Sequence, residues 1–202
     1  MPEKFLEFSF RNSPFPGKQA LTAGNVSFSY DAQKSLIEDF SITIPAGEKI
    51  CVVGKNGKGK TTLLKLLYLS DSVSEGQILI DGINLSRIPR KRVPLLRRKF
   101  GIIFQDYKLI PYRSVYDNIA LVLEAAGKQR RLIQKKVKNV LRLIGMEDRS
   151  NTFPPSLSGG EQQRVAVARA VVGDPKIVLA DEPTGSLDDD SAAVIMDLLK
   201  NV

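Results

Sequence analysis

Residues 54–61 read Gly-Lys-Asn-Gly-Lys-Gly-Lys-Thr: a glycine, four residues, then Gly-Lys-Thr. An apolar, β-rich run at 49–53 precedes the string, and 61–69, with leucines at 63, 64, 66, 67 and 69, follows it. A glycine loop between a strand and a helix lets main-chain amides wrap phosphate oxygens, and the start of the helix adds positive potential. The spacing therefore predicts a phosphate cradle of Gly54, Lys55, Asn56, Gly57, Lys58, Gly59, Lys60, Thr61 and Thr62. Within it the Lys60 ammonium reaches the β and γ phosphates, and the Thr61 hydroxyl holds magnesium. A glycine turn of purely structural use is the other reading of such a string, and the flanking strand and helix select the cradle.

A second stretch lies about 120 residues downstream, where 176–182 read Lys-Ile-Val-Leu-Ala-Asp-Glu, an apolar strand ending in two carboxylates. Alone, such acids end many solvated turns; beside a phosphate cradle their jobs divide. Asp181 suits magnesium coordination, directly or through water, and Glu182 suits polarising the water that attacks a γ phosphate. Between the two stretches, Ser158 followed by Glu161 fits a capping box, which leaves a glycine-flanked helix start at Gly159 and Gly160 open to an anion.

Strands are expected at 26–30, 41–45, 76–81 and 100–104, with a turn at 46–48. Between 128 and 144 the apolar positions Ile133, Val137, Val140, Leu141 and Ile144 recur at helical spacing, with lysines and arginines on the other face and Gly145 as a stop. A further helix runs over 159–172, ended by Gly173 and Pro175. Strands alternating with helices predict an α/β domain with a mainly parallel sheet and a helical insertion.

The chain has 202 residues, 43% hydrophobic and 26% charged, which suits one domain with a core and excludes a disordered or fibrous protein. A net charge of +8 suits a nucleic acid or an anionic membrane surface equally. The single cysteine, Cys51, excludes an internal disulfide and reads as a buried strand thiol. No apolar run reaches the roughly 18 residues of a membrane span, and the N-terminus lacks the pattern of a signal peptide, so a cytoplasmic location is expected.

The string Leu157-Ser-Gly-Gly-Glu-Gln-Gln-Arg164 closely resembles the signature motif of the ABC (ATP-binding cassette) ATPases. The resemblance covers roughly residues 20–202 and implies a P-loop NTPase core with a mainly parallel sheet, an antiparallel β subdomain and the ABC helical subdomain. It implies one nucleotide-binding domain, with the core at about 20–105 and 174–202 and the helical subdomain at about 106–173. ATP and Mg2+ are the implied ligands. Tyr30 takes the adenine-stacking position, Gln105 the Q-loop position that contacts magnesium, and Asp188 the D-loop position after Ser186 and Leu187. The residues 158–161 (Ser158, Gly159, Gly160, Glu161) would meet the γ phosphate bound by the other copy of a nucleotide-dependent homodimer.

Within the family, 92–106, 115–119 and 179–185 resemble FtsE-like cell-division ATPases and approach the LolD- and MacB-like transporter ATPases. Residues 14–18, 25–31 and 54–62 are more similar to the ribosome-acting ABC-F proteins. Gly185-Ser186 after Pro183-Thr184, where ABC-F proteins have Asn-His, favours the first group. That group implies an FtsX-like or other ABC membrane subunit as partner, meeting the chain near 105–118, and a peripheral place on the cytoplasmic face of the inner membrane. A ribosome is the alternative partner, and no DNA is implied. The family's next elements after 202 are a strand and a switch histidine, and the sequence contains no histidine. The expectation is thus a chain lacking its C-terminal strand and histidine region, which binds ATP and turns it over very slowly.

Overall fold

The computed structural model describes residues 18–31, 34–48, 50, 52, 57–185 and 187–200, which fall into two compact units. One consists of 18–102 and 176–181, the other of 103–175 and 182–200.

In the first unit, β1 (Gln19–Asp31) pairs antiparallel with β2 (Lys34–Pro45). The alternation of β1 changes phase midway: Leu21 and Ala23 are buried at odd positions, Val26 and Phe28 at even ones. A register shift between Ala23 and Val26, with Asn25 at φ 49, keeps all four on one face. Asn25 is held there as its amide donates to Ser41 Oγ (2.8 Å) and its Nδ2 to Asp39 Oδ1 (2.7 Å). After α1 (Lys60–Leu67), β3 (Glu75–Ile80) pairs with β1, and β4 (Ile83–Asn84) pairs with β3, giving the order β2-β1-β3-β4. Asp81 (φ 52) and Gly82 (φ 72) form the two-residue β3–β4 turn, the Asp-Gly pair that left-handed hairpin turns select.

α2 (Val93–Arg97) leads into β5 (Phe100–Ile103), which pairs with β6 (Ile177–Ala180). The amides of Lys176 and Ile177 both donate to Lys99 O, so the two strands start side by side and run parallel. The core of this unit joins Leu66 and Leu67 of α1 to Val26, Phe28, Ile78, Ile80, Phe100 and Leu179. Asp81, its side chain 6% exposed, lies 2.5 Å from Lys99 Nζ and 3.6 Å from Lys176 Nζ. The Lys99 hydrogen bond, with the charge of both lysines, holds its carboxyl below the usual range despite burial.

The second unit is helical. α3 (Val115–Ala125) packs against both α4 (Arg130–Leu143) and α5 (Gly159–Val171), and α5 against α6 (Asp189–Lys200). α4 buries Ile133, Val137, Val140 and Leu141, as the periodicity requires, and turns Arg131, Lys135 and Lys138 outward. Sequence reading passed over α3 as an element, although Ser114 announces it: its hydroxyl accepts from the Asp117 amide and donates to Asp117 Oδ2 (2.6 Å). Of the strand expected at 49–53, Ile50 and Val52 are described, and neither is in a strand. Cys51 lies outside the described residues. With its antiparallel and parallel pairs and its helical subdomain, the chain has a P-loop NTPase-type fold.

Candidate active site

In the first unit, the end of the glycine loop is set by Gly59, the N-cap of α1, at φ 83 and ψ 8. A Cβ there would lie 3.3 Å from both Leu36 O and Ile37 Cγ1, so the conformation demands glycine and the space around it is tight. No side chain caps α1, and its first turn holds no acid. Its first amides and its dipole are therefore turned toward whatever anion approaches. Lys60, Thr61 and Thr62 form that first turn, behind Gly57 and Lys58; Gly54, Lys55 and Asn56 lie outside the described residues. Tyr30, near the end of β1, is 64% exposed, rests edge-on against Phe28 (centroids 4.7 Å apart, 89°) and donates its hydroxyl to Asp71 Oδ2 at 3.2 Å. An exposed, braced aromatic face of this kind is what base stacking requires. Asp181 directly follows the end of β6.

In the second unit, Gln105 Nε2 donates to Glu182 Oε2 at 3.1 Å, joining side chains 77 residues apart. This engages the amide nitrogen of Gln105. Glu182 is in the left-handed region, at φ 46, and Gly185 N closes a turn onto its carbonyl at 3.1 Å. Such a backbone costs a non-glycine residue about 1–2 kcal/mol and persists only where its surroundings enforce it.

Ser158 and Glu161 form the expected capping box: Ser158 Oγ accepts from the Glu161 amide (3.2 Å), and Glu161 Oε2 accepts from the Ser158 amide (2.8 Å). That second bond holds the Glu161 carboxyl below its ordinary value, and the side chain is thereby engaged within its own helix. A Cβ on Gly160 would come within 2.8 Å of Ser191 Oγ, so this glycine permits the close approach of α6. Asp188 Oδ1 accepts from the Ser191 amide at 2.9 Å and caps α6, which lowers its pKa.

Three further residues organise this unit, and sequence reading gave them no role. Gln163, 2% exposed, donates Nε2 to Pro183 O at 2.6 Å. Arg169 donates Nη2 to Tyr107 O and Nη1 to Lys108 O, both at 2.6 Å, just past Gln105. Asn118, fully buried, accepts from the Ile110 amide and donates to the carbonyls of Ile110, Arg113 and Ser114. The only sequence-level signal for each is a polar residue on an otherwise buried helix face.

A glycine loop leading into a helix, a carboxylate pair after an apolar strand and a glycine-flanked capping box define a class of nucleotide-hydrolysing domain. The model of the ABC transporter family matches residues 37–185, and the chain belongs to that family as an ABC-type ATPase domain. It is 45% identical over 173 residues to the cell division ATP-binding protein FtsE of Streptococcus pneumoniae, covering 86% of this chain and 75% of that one. It is 40% identical over 175 residues to the methionine import ATP-binding protein MetN of Photobacterium profundum, with 86% of this chain but 51% of that one covered. Among solved structures it matches the ATP-binding cassette MJ0796, in a dimeric post-hydrolysis state bound to ADP and Pi. That match has a TM-score of 0.82 and 32% identity and covers 89% of this chain and 81% of the other. Members of this family use ATP with Mg2+.

Proposed function

We propose that the chain hydrolyses ATP at sites shared by two head-to-tail copies and drives a membrane partner, as an FtsE-like subunit. The observation that carries this reading is the bond from Gln105 to Glu182, which joins the Q-loop amide to the carboxylate after the apolar strand. The backbone amides at Gly57, Gly59 and the start of α1 hold the β and γ phosphates, Lys60 adds a charge-assisted contact, and Tyr30 stacks on the base. Thr61, Asp181 and Gln105 Oε1 supply the hard oxygens that suit Mg2+, which is ordinarily held by a few side chains together with substrate phosphates. Mg2+, when bound, neutralises charge developing on the phosphates. Glu182 accepts a proton from the attacking water and orients it, and Gln105 fixes the carboxylate that does so. Residues 158–160 offer the start of α5 to the γ phosphate held by the other copy, where Asp188, in the D-loop position, joins them. A dimeric arrangement is supported by the solved relative, whose described state is a dimer.

The 45% identity to the FtsE of Streptococcus pneumoniae, against 40% to the MetN of Photobacterium profundum, favours a cell-division partner of the FtsX type over a transporter. Among the described residues no helix is long and apolar enough to cross a membrane. The partner would dock near 105–118, where Tyr112 is 80% exposed.

Glu182→Gln tests the assignment. ATP binding should stay within about threefold of the parent while single-turnover phosphate release falls by roughly a hundredfold or more. Sedimentation with ATP should show the variant trapped as a dimer. Release at the parent rate would refute the assignment of Glu182.

A further inference from the structure

We infer that Gln163 is a positioning residue for Glu182, so that helix α5 sets the geometry of the carboxylate on its own chain. This rests on the reading of Glu182 given above. Gln163 sits inside α5 with 2% of its surface exposed. Pro183 O can only accept, so the group facing it at 2.6 Å is the Gln163 amide NH2, across 20 residues of sequence. The other half of the amide, Oε1, is buried with no hydrogen-bond partner among the described residues. A buried polar group that leaves half its capacity unused is retained for the bond it does make.

That bond acts at a place where the backbone needs holding. Glu182 is at φ 46, disfavoured for any residue with a Cβ. It also precedes a proline, whose ring pushes the preceding residue toward extended backbone. Pro183 has no N–H, so its carbonyl is the one main-chain hydrogen-bonding group that residue offers a neighbour. Among the contacts that oppose relaxation are the Gly185 amide on Glu182 O, a local turn, and Gln163 on Pro183 O, a tertiary one. Released from Gln163, the 182–183 peptide can return toward the extended region, and the Glu182 carboxylate leaves Gln105 Nε2, now 3.1 Å away. A displacement of about 1 Å of a group that positions a reacting water costs on the order of a hundredfold in rate.

The position of Gln163 adds a consequence for the pair of copies. It lies four residues after Gly159, about 6 Å along the helix axis. An anion that seats or shifts the start of α5 therefore moves the grip on Glu182 with it. Nucleotide held by one copy is thereby reported to the carboxylate that serves the other site.

The test uses the 202-residue chain, with ATP titration and single-turnover phosphate release at saturating ATP and magnesium. Gln163→Met keeps length and burial but removes the donor. Its rate should fall about tenfold to a hundredfold while the ATP dissociation constant changes less than about twofold. In a Glu182→Gln background the same substitution should add less than about twofold, because its effect passes through the missing carboxylate. If Gln163→Met does not fold, Gln163→Asn retains polarity but withdraws the amide by one methylene, and the same loss is expected. A Gln163→Met rate within about threefold of the parent, beside an inactive Glu182→Gln, overturns this inference alone. So does a loss of affinity that matches the loss of rate, or a full further loss in the Glu182→Gln background. A Glu182→Gln chain working at the parent rate overturns the underlying reading and this inference together.

Discussion

Replacing Arg169 by methionine removes a fork that closes a strained turn. Its guanidinium donates to the carbonyls of Tyr107 and Lys108, which lie at φ 58 and φ 48, two consecutive non-glycine residues in the left-handed region. Burial draws the Arg169 pKa below the ordinary arginine value, yet an arginine stays charged at neutral pH, so both bonds are charge-assisted. At about 1.5–3 kcal/mol each they amount to about 3–6 kcal/mol gross. Relaxation of the turn returns about 2 kcal/mol of that, because each left-handed residue costs about 1–2 kcal/mol. The Lys108 carbonyl belongs to an exposed residue and is rehydrated, which trims the loss further. A net destabilisation of about 1–3 kcal/mol follows, or roughly 2–12 °C in the melting temperature of a chain this size. Thermal and denaturant unfolding followed by circular dichroism measures it. Arg169→Lys should fall between parent and Arg169→Met, since one ammonium does not reproduce a planar two-pronged donor. An Arg169→Met chain that melts with the parent, or an Arg169→Lys chain indistinguishable from it, would refute the reasoning.

Lys60→Ala should weaken ATP binding roughly ten- to a hundredfold, read by nucleotide titration, because one charge-assisted phosphate contact of about 1.5–3 kcal/mol is lost while the amides remain. Asp81→Asn should cost about 1–2 kcal/mol, since its carboxylate meets Lys99 and Lys176, both partly exposed. Because the folded pKa of Asp81 is depressed, its contribution is complete above the unfolded value of about 4 and is lost as pH falls through the folded one. The parent should therefore lose its stability advantage over Asp81→Asn below about pH 4, and an advantage unchanged down to pH 2 would contradict this. Gly160→Ala should destabilise by about 1–3 kcal/mol through contact with Ser191 Oγ, and Ser191→Gly in the same chain should restore most of it. Independent, additive losses in that pair would show that the contact is not the cause.

What the sequence makes legible depends on how local the physics is. The capping box at Ser158 and Glu161 is written in four residues, and the structure forms it as read. The buried stripe of α4 follows from periodicity alone. The demand for glycine at position 160 comes from Ser191, 31 residues later, and the reach of Arg169 ends on carbonyls 61 and 62 residues earlier. Nothing within a helical turn of either residue signals its partner. The bond from Gln105 to Glu182 lies between these cases: each residue type could be read from its motif, but their meeting is a product of the fold. The phase change in β1 was missed for another reason. The alternation at 26–30 is clean, and only the pairing of Asn25 with Asp39 and Ser41 shows why the earlier half of the strand is out of step.

Asn118 grips only main-chain atoms, the amide of Ile110 and the carbonyls of Ile110, Arg113 and Ser114. The loop over 110–113 is therefore held chiefly through its backbone, with Ser114 Oγ capping α3 behind it, and Tyr112 projects from that frame, 80% exposed. Such a loop is a natural graft site: if the proposed docking surface is right, exchanging residues 111–113 for those of a relative should shift partner preference while α3 keeps its fold. Drift in the loop's outer residues is likewise uncoupled from drift in the core, so new pairings can evolve without rebuilding the domain that powers them.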